Sequence, residues 1–94
     1  MSLKTMPFDA AEHITTAEDQ AALFSDALES GDPSYIANAL GVIARARGMA
    51  QVARDAGITR EGLYKALSGE GDPRLTTLLG VTKALGIKLV AKAA

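Results

Sequence analysis

The chain has 94 residues, which predicts one domain, with a core small enough that dimerisation is a reasonable expectation. It holds no cysteine, 48% apolar residues and a net charge of −1, and no apolar run approaches the ~20 residues of a membrane span. A disulfide framework, a thiolate metal site and a transmembrane helix are therefore excluded. Because the N-terminus also lacks a signal-peptide layout, we expect a cytoplasmic protein.

The N-terminal residues 1–14 show no helical period, and Pro7 interrupts them. We interpret them as an N-terminal arm that precedes a single helical domain over residues 15–94. The only histidine, His13, lies in this arm. Because it has no other ligand nearby, we interpret it as a surface residue rather than a metal or catalytic site.

A first helix begins at Thr15 or Thr16 and ends at Gly31. Thr15 with Glu18 has the spacing of a capping box, and Thr16 with Asp19 offers a weaker version of it. Apolar residues at helical spacing predict the buried face. They are Ala17, Ala21, Phe24 and Leu28, widened by Leu23 and Ala27.

Asp32-Pro33 begins the second helix, with aspartate as the N-cap and proline at the first helical position. Its buried stripe is Ile36, Leu40 and Ile43, and Gly48 ends it. Two arginines in the last turn, Arg45 and Arg47, suit the negative end of the helix dipole.

Two short helical patterns follow, Met49–Ala56 and Arg60–Leu67, joined by Gly57-Ile58-Thr59. Gly57 suits the left-handed conformation that ends a helix. Ile58 is an apolar residue expected to pack between the two helices, and Thr59 can cap the second of them. A helix, a tight glycine-containing turn and a second helix form a helix-turn-helix, here at 49–67. In DNA-binding proteins the second helix of this motif enters the major groove.

The second of these helices has two distinct sides. At about 100° per residue, its polar side chains occupy one arc of roughly 140°. They are Arg60, Glu61, Tyr64 and Lys65, which can contact base edges or phosphates. The opposite side is small and apolar: Gly62, Leu63, Ala66 and Leu67. We expect Gly62 to allow a neighbouring helix to approach closely.

A turn at 68–73 leads into a fifth helix, Arg74–Leu85, which Gly86 ends. Its apolar side is predicted to hold Leu75, Leu78, Leu79, Thr82 and Leu85. Apolar and polar residues alternate briefly in the tail Ile87-Lys88-Leu89-Val90, which is compatible with a short strand. Such a strand would need a partner, either the N-terminal segment or the same tail of a second subunit.

The charge is unevenly distributed along the chain. The first 44 residues hold seven acidic residues and one basic residue, and the remaining 50 hold nine basic and four acidic residues. The two parts therefore carry net charges of −6 and +5, which predicts two surfaces whose electrostatic potentials have opposite signs. The basic part contains the helix-turn-helix and is expected to face phosphate.

Residues 33–86 resemble the phage-repressor (lambda/Cro-like) DNA-binding fold. A resemblance over nearly the whole chain is to the addiction-module antidote family, the HigA-like antitoxins. It rests on FDAAEHI (8–14), ALESGDPSYIANALGVIARARGM (27–49), REGLYKALSGEGDPR (60–74) and KALGIKL (83–89). The expected fold is therefore all-α: a five-helix lambda-repressor-like helix-turn-helix domain. The sequence leaves undecided whether a short C-terminal strand follows it.

The resemblance implies an antitoxin that binds a RelE/HigB-type ribonuclease toxin and represses its own operon through the helix-turn-helix, usually as a dimer. The positions at which this fold contacts DNA correspond to Thr59, Arg60, Glu61, Tyr64 and Lys65. The chain departs from the fold in one respect. Repressors of this kind often have a polar residue near the start of the first motif helix to contact a phosphate, but here the stretch is Gly48-Met49-Ala50, and only Gln51 or Arg54 could substitute.

Our leading hypothesis is a sequence-specific, dimeric DNA-binding regulator with no cofactor. Phosphate contacts from Arg60, Lys65, Arg74 and Arg54 would set affinity, and Tyr64, Arg60 and Glu61 would contact bases. A dimer would place its two helices about 34–36 Å apart, which predicts a palindromic operator in double-stranded DNA. The alternative within this class is a stand-alone phage-type repressor with no toxin partner.

A second hypothesis is that the acidic first 44 residues mask the cationic RNA-binding groove of a toxin. An enzyme is not expected. The chain has no cysteine, a single histidine in the arm, and no acidic pair in a pattern that would form a catalytic cleft.

Overall fold

The computed structural model describes residues 15–68 and 72–94. These residues form five α-helices and no strand, which confirms the all-α prediction. The helices are α1 (Ala17–Ser30), α2 (Pro33–Arg47), α3 (Met49–Ala56), α4 (Arg60–Ala66) and α5 (Leu75–Ala84). The predicted arm 1–14, with His13, lies outside the described residues, as do positions 69–71 of the predicted turn.

The first two helices begin at the predicted capping residues. Thr16, rather than Thr15, is the N-cap of α1, and its Oγ1 accepts a hydrogen bond from the backbone N–H of Asp19 at 3.0 Å. Asp32 is the N-cap of α2 and accepts from the N–H of Ser34 at 3.0 Å. Each carboxylate or hydroxyl satisfies a backbone donor that has no partner inside the helix.

The buried side of α1 differs from the predicted one. Gln20, Phe24 and Ala27 are buried, whereas Ala17, Ala21 and Leu28 of the predicted stripe are exposed. The cause is Arg47, whose Nε donates to Oε1 of Gln20 at 2.9 Å. A polar side chain can be buried at low cost when it is hydrogen-bonded, so α1 is rotated towards Gln20.

The buried side of α5 is also rotated relative to the prediction. Val81, Thr82 and Leu85 are buried, but Leu75 and Leu79 are exposed, which makes the prediction wrong for those two. Thr82 is buried without loss because its Oγ1 donates to the carbonyl oxygen of Leu79 at 3.0 Å. The rotated face follows from the packing of α5 on α3, which sequence periodicity does not specify.

The core connects all five helices. Its fully buried large apolar side chains are Phe24, Leu40, Ile43, Leu63, Val81 and Leu85, and α3 adds Val52 and Ala53. Helix α3 packs against α2, α4 and α5, whereas α1 packs chiefly against α2. Consequently α2 lies between α1 on one side and the α3–α4 pair on the other.

The segment after α5 is anchored at its start. Gly86 has φ +72° and its N–H donates to the carbonyl oxygen of Lys83 at 3.1 Å, while the N–H of Ile87 donates to that of Thr82 at 2.9 Å. These bonds satisfy the last carbonyls of the helix. Residues 87–94 form no strand, because the described chain offers no second strand with which they could pair.

Candidate nucleic-acid interface

The turn between α3 and α4 has the predicted backbone conformation, apolar contact and helix cap. Gly57 adopts φ +76°, where a side chain would be strained, and the N–H of Ile58 donates to the carbonyl oxygen of Ala53 at 3.0 Å. Ile58 is half-buried against the core. Thr59 caps α4, since its Oγ1 accepts from the N–H of Gly62 at 2.9 Å. The direction of α4 is therefore fixed by a left-handed residue, an apolar contact and a cap.

The role predicted for Gly62 is wrong. Gly62 is exposed, and no helix packs on it. A Cβ atom at this position would lie 2.9 Å from Oγ1 of Thr59, so the absence of a side chain preserves the cap instead. The close approach of two elements occurs at Gly41 of α2, where a Cβ would lie 3.2 Å from the carbonyl oxygen of Leu67.

Helix α4 presents four polar side chains away from the core. Leu63 and Leu67 are buried beneath it. The four predicted contact residues, Arg60, Glu61, Tyr64 and Lys65, are all exposed. None of them is covered by the part of the protein that the structure describes, so this face is free to meet another molecule.

Arg60 and Tyr64 form a pair on this face. The Cζ atom of Arg60 lies 5.0 Å from the centroid of the Tyr64 ring, and Nη2 donates to the Tyr64 hydroxyl at 3.3 Å. The pair combines a cation–π contact with a hydrogen bond one helical turn apart. It holds the guanidinium in a defined position while leaving its other donors available.

Two further predicted residues lie together beside α4. Lys65 and Arg74 line one open groove between α4 and the start of α5. Asp72 lines the same groove and reduces its positive charge. Arg74 is the N-cap of α5, and its side chain makes no capping hydrogen bond. The structure thus brings together two cations that are nine positions apart in the sequence.

Gln51 and Arg54 form a separate chain of contacts along α3. Nη1 of Arg54 donates to Oε1 of Gln51 at 2.8 Å, and Nε2 of Gln51 donates to Oδ1 of Asp55 at 2.9 Å. All three side chains are exposed. They line neither of the grooves that contain Arg60, Tyr64, Lys65 or Arg74.

One residue near this face was not among the predicted contacts. Arg45, in the last turn of α2, lines a shallow groove with Met49, Ala50, Arg60 and Tyr64. The sequence pattern suggested only a role at the helix dipole. Its position next to α4 depends on how α2 packs on the α3–α4 pair, which no local pattern reveals.

Neither a metal centre nor a membrane span is visible among residues 15–68 and 72–94. No three histidine, cysteine, aspartate or glutamate side chains in these ranges are grouped so that they could hold a metal ion. None of the five helices is both long and apolar enough to cross a membrane.

Comparison with known proteins identifies the family. Residues 4–93 match the sequence model described as "Probable addiction module antidote protein". The chain belongs to this antidote family. It is also 49% identical over 88 residues to an uncharacterised protein of Haemophilus influenzae strain Rd, an alignment that covers 94% of this chain and 91% of that protein. No solved structure matches the chain.

Membership of the antidote family confirms the coarser part of the prediction. The antidote of an addiction module counteracts a toxin, so membership implies a cognate toxin partner. Proteins of this family are generally not enzymes. The matched range includes α4 and its four exposed polar residues as well as the whole of α1.

Proposed function

We propose that the protein is a dimeric antitoxin that binds a palindromic operator in double-stranded DNA and represses its own operon. In this proposal α3 and α4 are a lambda/Cro-like helix-turn-helix and α4 enters the major groove. The observation that carries it is the exposed quartet Arg60, Glu61, Tyr64 and Lys65 on a helix fixed by Gly57 and Thr59. The site of action would be the cytoplasm, where the operator lies.

Base contacts would come from three members of the quartet, Arg60, Glu61 and Tyr64. Arginine can donate twice to guanine, glutamate can accept from cytosine N4, and an aromatic ring can pack on a thymine methyl group. The Arg60–Tyr64 pair supports this assignment because a restrained guanidinium loses less conformational freedom on binding. Glu61 accepts no hydrogen bond from the described residues, so its carboxylate is available.

Phosphate contacts would come from Lys65 of the quartet and from cations near it. Lys65 and Arg74 share one groove, Arg45 lies in the groove next to Arg60, and Arg54 is exposed on α3. Such contacts set affinity and orientation without selecting sequence. The cap residue Thr59 is also exposed and could donate its hydroxyl to a phosphate.

The proposed dimer would cover an apolar surface at the C-terminal end. Among the described residues, six large apolar side chains are exposed, and four of them lie on α5 or the segment after it: Leu75, Leu79, Leu89 and Val90. Leu79 and Leu89 line the same groove. A second copy that buried this surface would gain about 25 cal/mol for each Å² of apolar area removed from water.

The partner in this proposal is a RelE/HigB-type ribonuclease toxin. The family supports a toxin in general, and the five exposed acidic residues of 15–44 support one that binds RNA, because such a protein needs a basic groove. The alternative is a stand-alone repressor. It would be favoured if no toxin were encoded beside the gene.

A mobility-shift titration with DNA from upstream of the gene tests the proposal. We expect binding that survives excess non-specific DNA and protects a palindrome whose half-sites are one helical turn apart. A quadruple variant in which residues 60, 61, 64 and 65 are alanine should fold but lose this specificity. Equal affinity of the wild type for operator and random DNA would contradict the proposal.

A further inference from the structure

We infer that Asn38 and Arg45 of α2 form a phosphate-binding site of their own, and that they hold one DNA strand while Lys65 and Arg74 hold the other. The inference rests on the proposed function and adds two points to it. One is the part that α2 plays, and the other is the assignment of each side of α4 to one strand.

Helix α4 is a ridge between two grooves. Two adjoining grooves share Arg45, Met49 and Tyr64, and we call them together the α2-side groove. The α5-side groove is the one that contains Lys65 and Arg74. Each groove is therefore bordered by an arginine from outside α4.

The helical repeat places the two grooves on opposite flanks of α4. At about 100° per residue, Arg60 and Tyr64 lie within about 40° of each other, and so do Gly62 and Ala66. The buried Leu63 lies between the two pairs, about 60° from the nearer member of each. Arg60 and Tyr64 line the α2-side groove, whereas Gly62 and Ala66 line the α5-side groove.

Asn38 and Arg45 lie beside α4 because α2 approaches the end of that helix closely. They flank Gly41 at distances of three and four positions, which share one helical face. A Cβ atom at Gly41 would lie 3.2 Å from the carbonyl oxygen of Leu67, so this close packing brings the face against α4. Both polar side chains are exposed, and they line the α2-side groove together with Tyr64.

The α2-side groove has the chemistry that a phosphate needs. Its described lining includes two arginines, Arg45 and Arg60, and no acidic residue. A guanidinium presents a fork of donors that matches phosphate oxygens, and the amide of Asn38 adds neutral donors. The Tyr64 hydroxyl accepts from Arg60, so its own hydrogen can be donated. The groove thus offers charged and neutral donors to a DNA backbone.

Arg45 also supplies a cation where the beginning of α3 has none. Residues 48–50 carry no polar side chain, and all three line the α2-side groove with Arg45. The substitutes expected from the sequence, Gln51 and Arg54, hydrogen-bond to each other and line neither groove. The phosphate contact near the start of the motif would therefore come from the last turn of α2.

The width of the DNA groove links the two flanks of α4 to the two strands. A helix with its side chains is about 10–12 Å across, and the major groove is about 12 Å wide. A helix that fills the groove has the backbone of one strand on each flank. Arg45 and Arg74 border opposite flanks, so they would contact opposite strands and together restrict the tilt of α4.

Matched substitutions in the full chain test the site by mobility shift with DNA from upstream of the gene. Arg45→Gln removes a cation from the α2-side groove, and Lys92→Gln removes one from the C-terminal segment. Asn38→Asp adds a carboxylate to the groove, and Ser25→Asp adds one to the exposed side of α1.

We expect Arg45→Gln and Asn38→Asp to lower operator affinity by about tenfold, with Lys92→Gln and Ser25→Asp near the wild type. Arg45→Gln should also lower the slope of log affinity against log salt by about one, whereas Arg45→Lys, which keeps the charge, should retain it. Unchanged helical circular dichroism shows that each variant is folded.

Methylphosphonate linkages, which remove the charge of single phosphates, assign the strands. Where a cation contacts a phosphate, the neutral linkage weakens binding of the wild type, and a variant that lacks this cation no longer responds to it. We expect Arg45→Gln to stop responding at a phosphate of one strand, and Arg74→Gln at a phosphate of the other strand in the same half-site.

The outcomes separate this inference from the proposed function. If Arg45→Gln and Asn38→Asp bind like the wild type with an unchanged salt slope, the α2 site is wrong while DNA binding through α4 stands. The strand assignment is likewise wrong if Arg45→Gln and Arg74→Gln stop responding on the same strand. If the wild type does not distinguish the upstream DNA from random DNA, the proposed function itself fails, and the inference falls with it.

Discussion

The guanidinium of Arg60 lies over the ring of Tyr64, with Cζ 5.0 Å from the ring centroid and Nη2 3.3 Å from the hydroxyl oxygen. The two side chains are four residues apart on α4, where neighbours on one helical face meet. They form a cation–π pair. Their contact restrains the residue to which we assign guanine recognition.

Replacing Arg60 should reduce sequence discrimination. We expect Arg60→Ala to lose roughly 1–3 kcal/mol of discrimination between the operator and a variant with one guanine changed. Competition mobility shifts measure this difference. Lys88→Ala removes the same charge from the segment after α5 and should leave discrimination unchanged. Wild-type discrimination in Arg60→Ala would remove Arg60 from the proposed base contacts.

Replacing Lys65 or Arg74 should weaken binding to all DNA sequences alike. Each neutralised phosphate releases a counterion, so each substitution by alanine should lower the slope of log affinity against log salt by about one. Binding titrations at several salt concentrations give this slope. An unchanged slope for Arg74→Ala would show that this residue, although it shares a groove with Lys65, contacts no phosphate.

Arg47 should be important for stability rather than for DNA binding. Its Nε donates to Gln20 and its Nη2 donates to the carbonyl oxygen of Leu85 at 2.7 Å, so it connects α1, α2 and the end of α5. Arg47→Met removes the hydrogen bond to Gln20, which is only 2% exposed. Because a lost hydrogen bond to a buried group is costly, we expect this change to lower the free energy of unfolding by about 1–3 kcal/mol. Urea denaturation measures this loss. A double-mutant cycle with Gln20→Met should show coupling, and additivity would contradict the assignment.

Two helical glycines should respond in opposite ways to alanine. At Gly80 the new Cβ would lie an ordinary 3.6 Å from the carbonyl oxygen of Ala56, so Gly80→Ala should stabilise the protein by about 0.5–1 kcal/mol through helix propensity. At Gly41 the Cβ would lie 3.2 Å from the carbonyl oxygen of Leu67, and this crowding should cancel the gain. Thermal melts should rank Gly80→Ala above Gly41→Ala; the reverse order would contradict the packing.

The hydroxyl of Tyr35 should titrate at an unusually high pH. It donates to Oδ2 of Asp26 at 2.5 Å, and this hydrogen bond, together with some desolvation and the carboxylate charge, raises the pKa of Tyr35 above its ordinary value of 10.0. The contact therefore stabilises the fold below the unfolded-state pKa and is lost as the pH rises through the folded-state pKa. Ultraviolet absorbance of a Tyr64→Phe variant, which keeps only Tyr35, reports the titration. Asp26→Asn should lower this pKa.

The sequence alone determined most of the local structure. Capping residues such as Thr16, Asp32 and Thr59, and the left-handed Gly57, set the helix ends because their hydrogen bonds and backbone angles involve residues only a few positions away. The polar side of α4 was likewise predictable, since the helical repeat of 3.6 residues places the polar residues on one arc and the buried Leu63 and Leu67 outside it.

Only the tertiary structure decided which sides of α1 and α5 are buried. A periodic apolar stripe in the sequence predicts the buried side of a helix to within one or two side chains. Contacts with the other helices determine which of those side chains are actually buried. Gln20 is buried because Arg47, 27 residues away, hydrogen-bonds to it, and this turns Leu28 to the surface. The exposure of Leu79 and the position of Arg45 beside α4 depend in the same way on helix packing, which local sequence patterns do not encode.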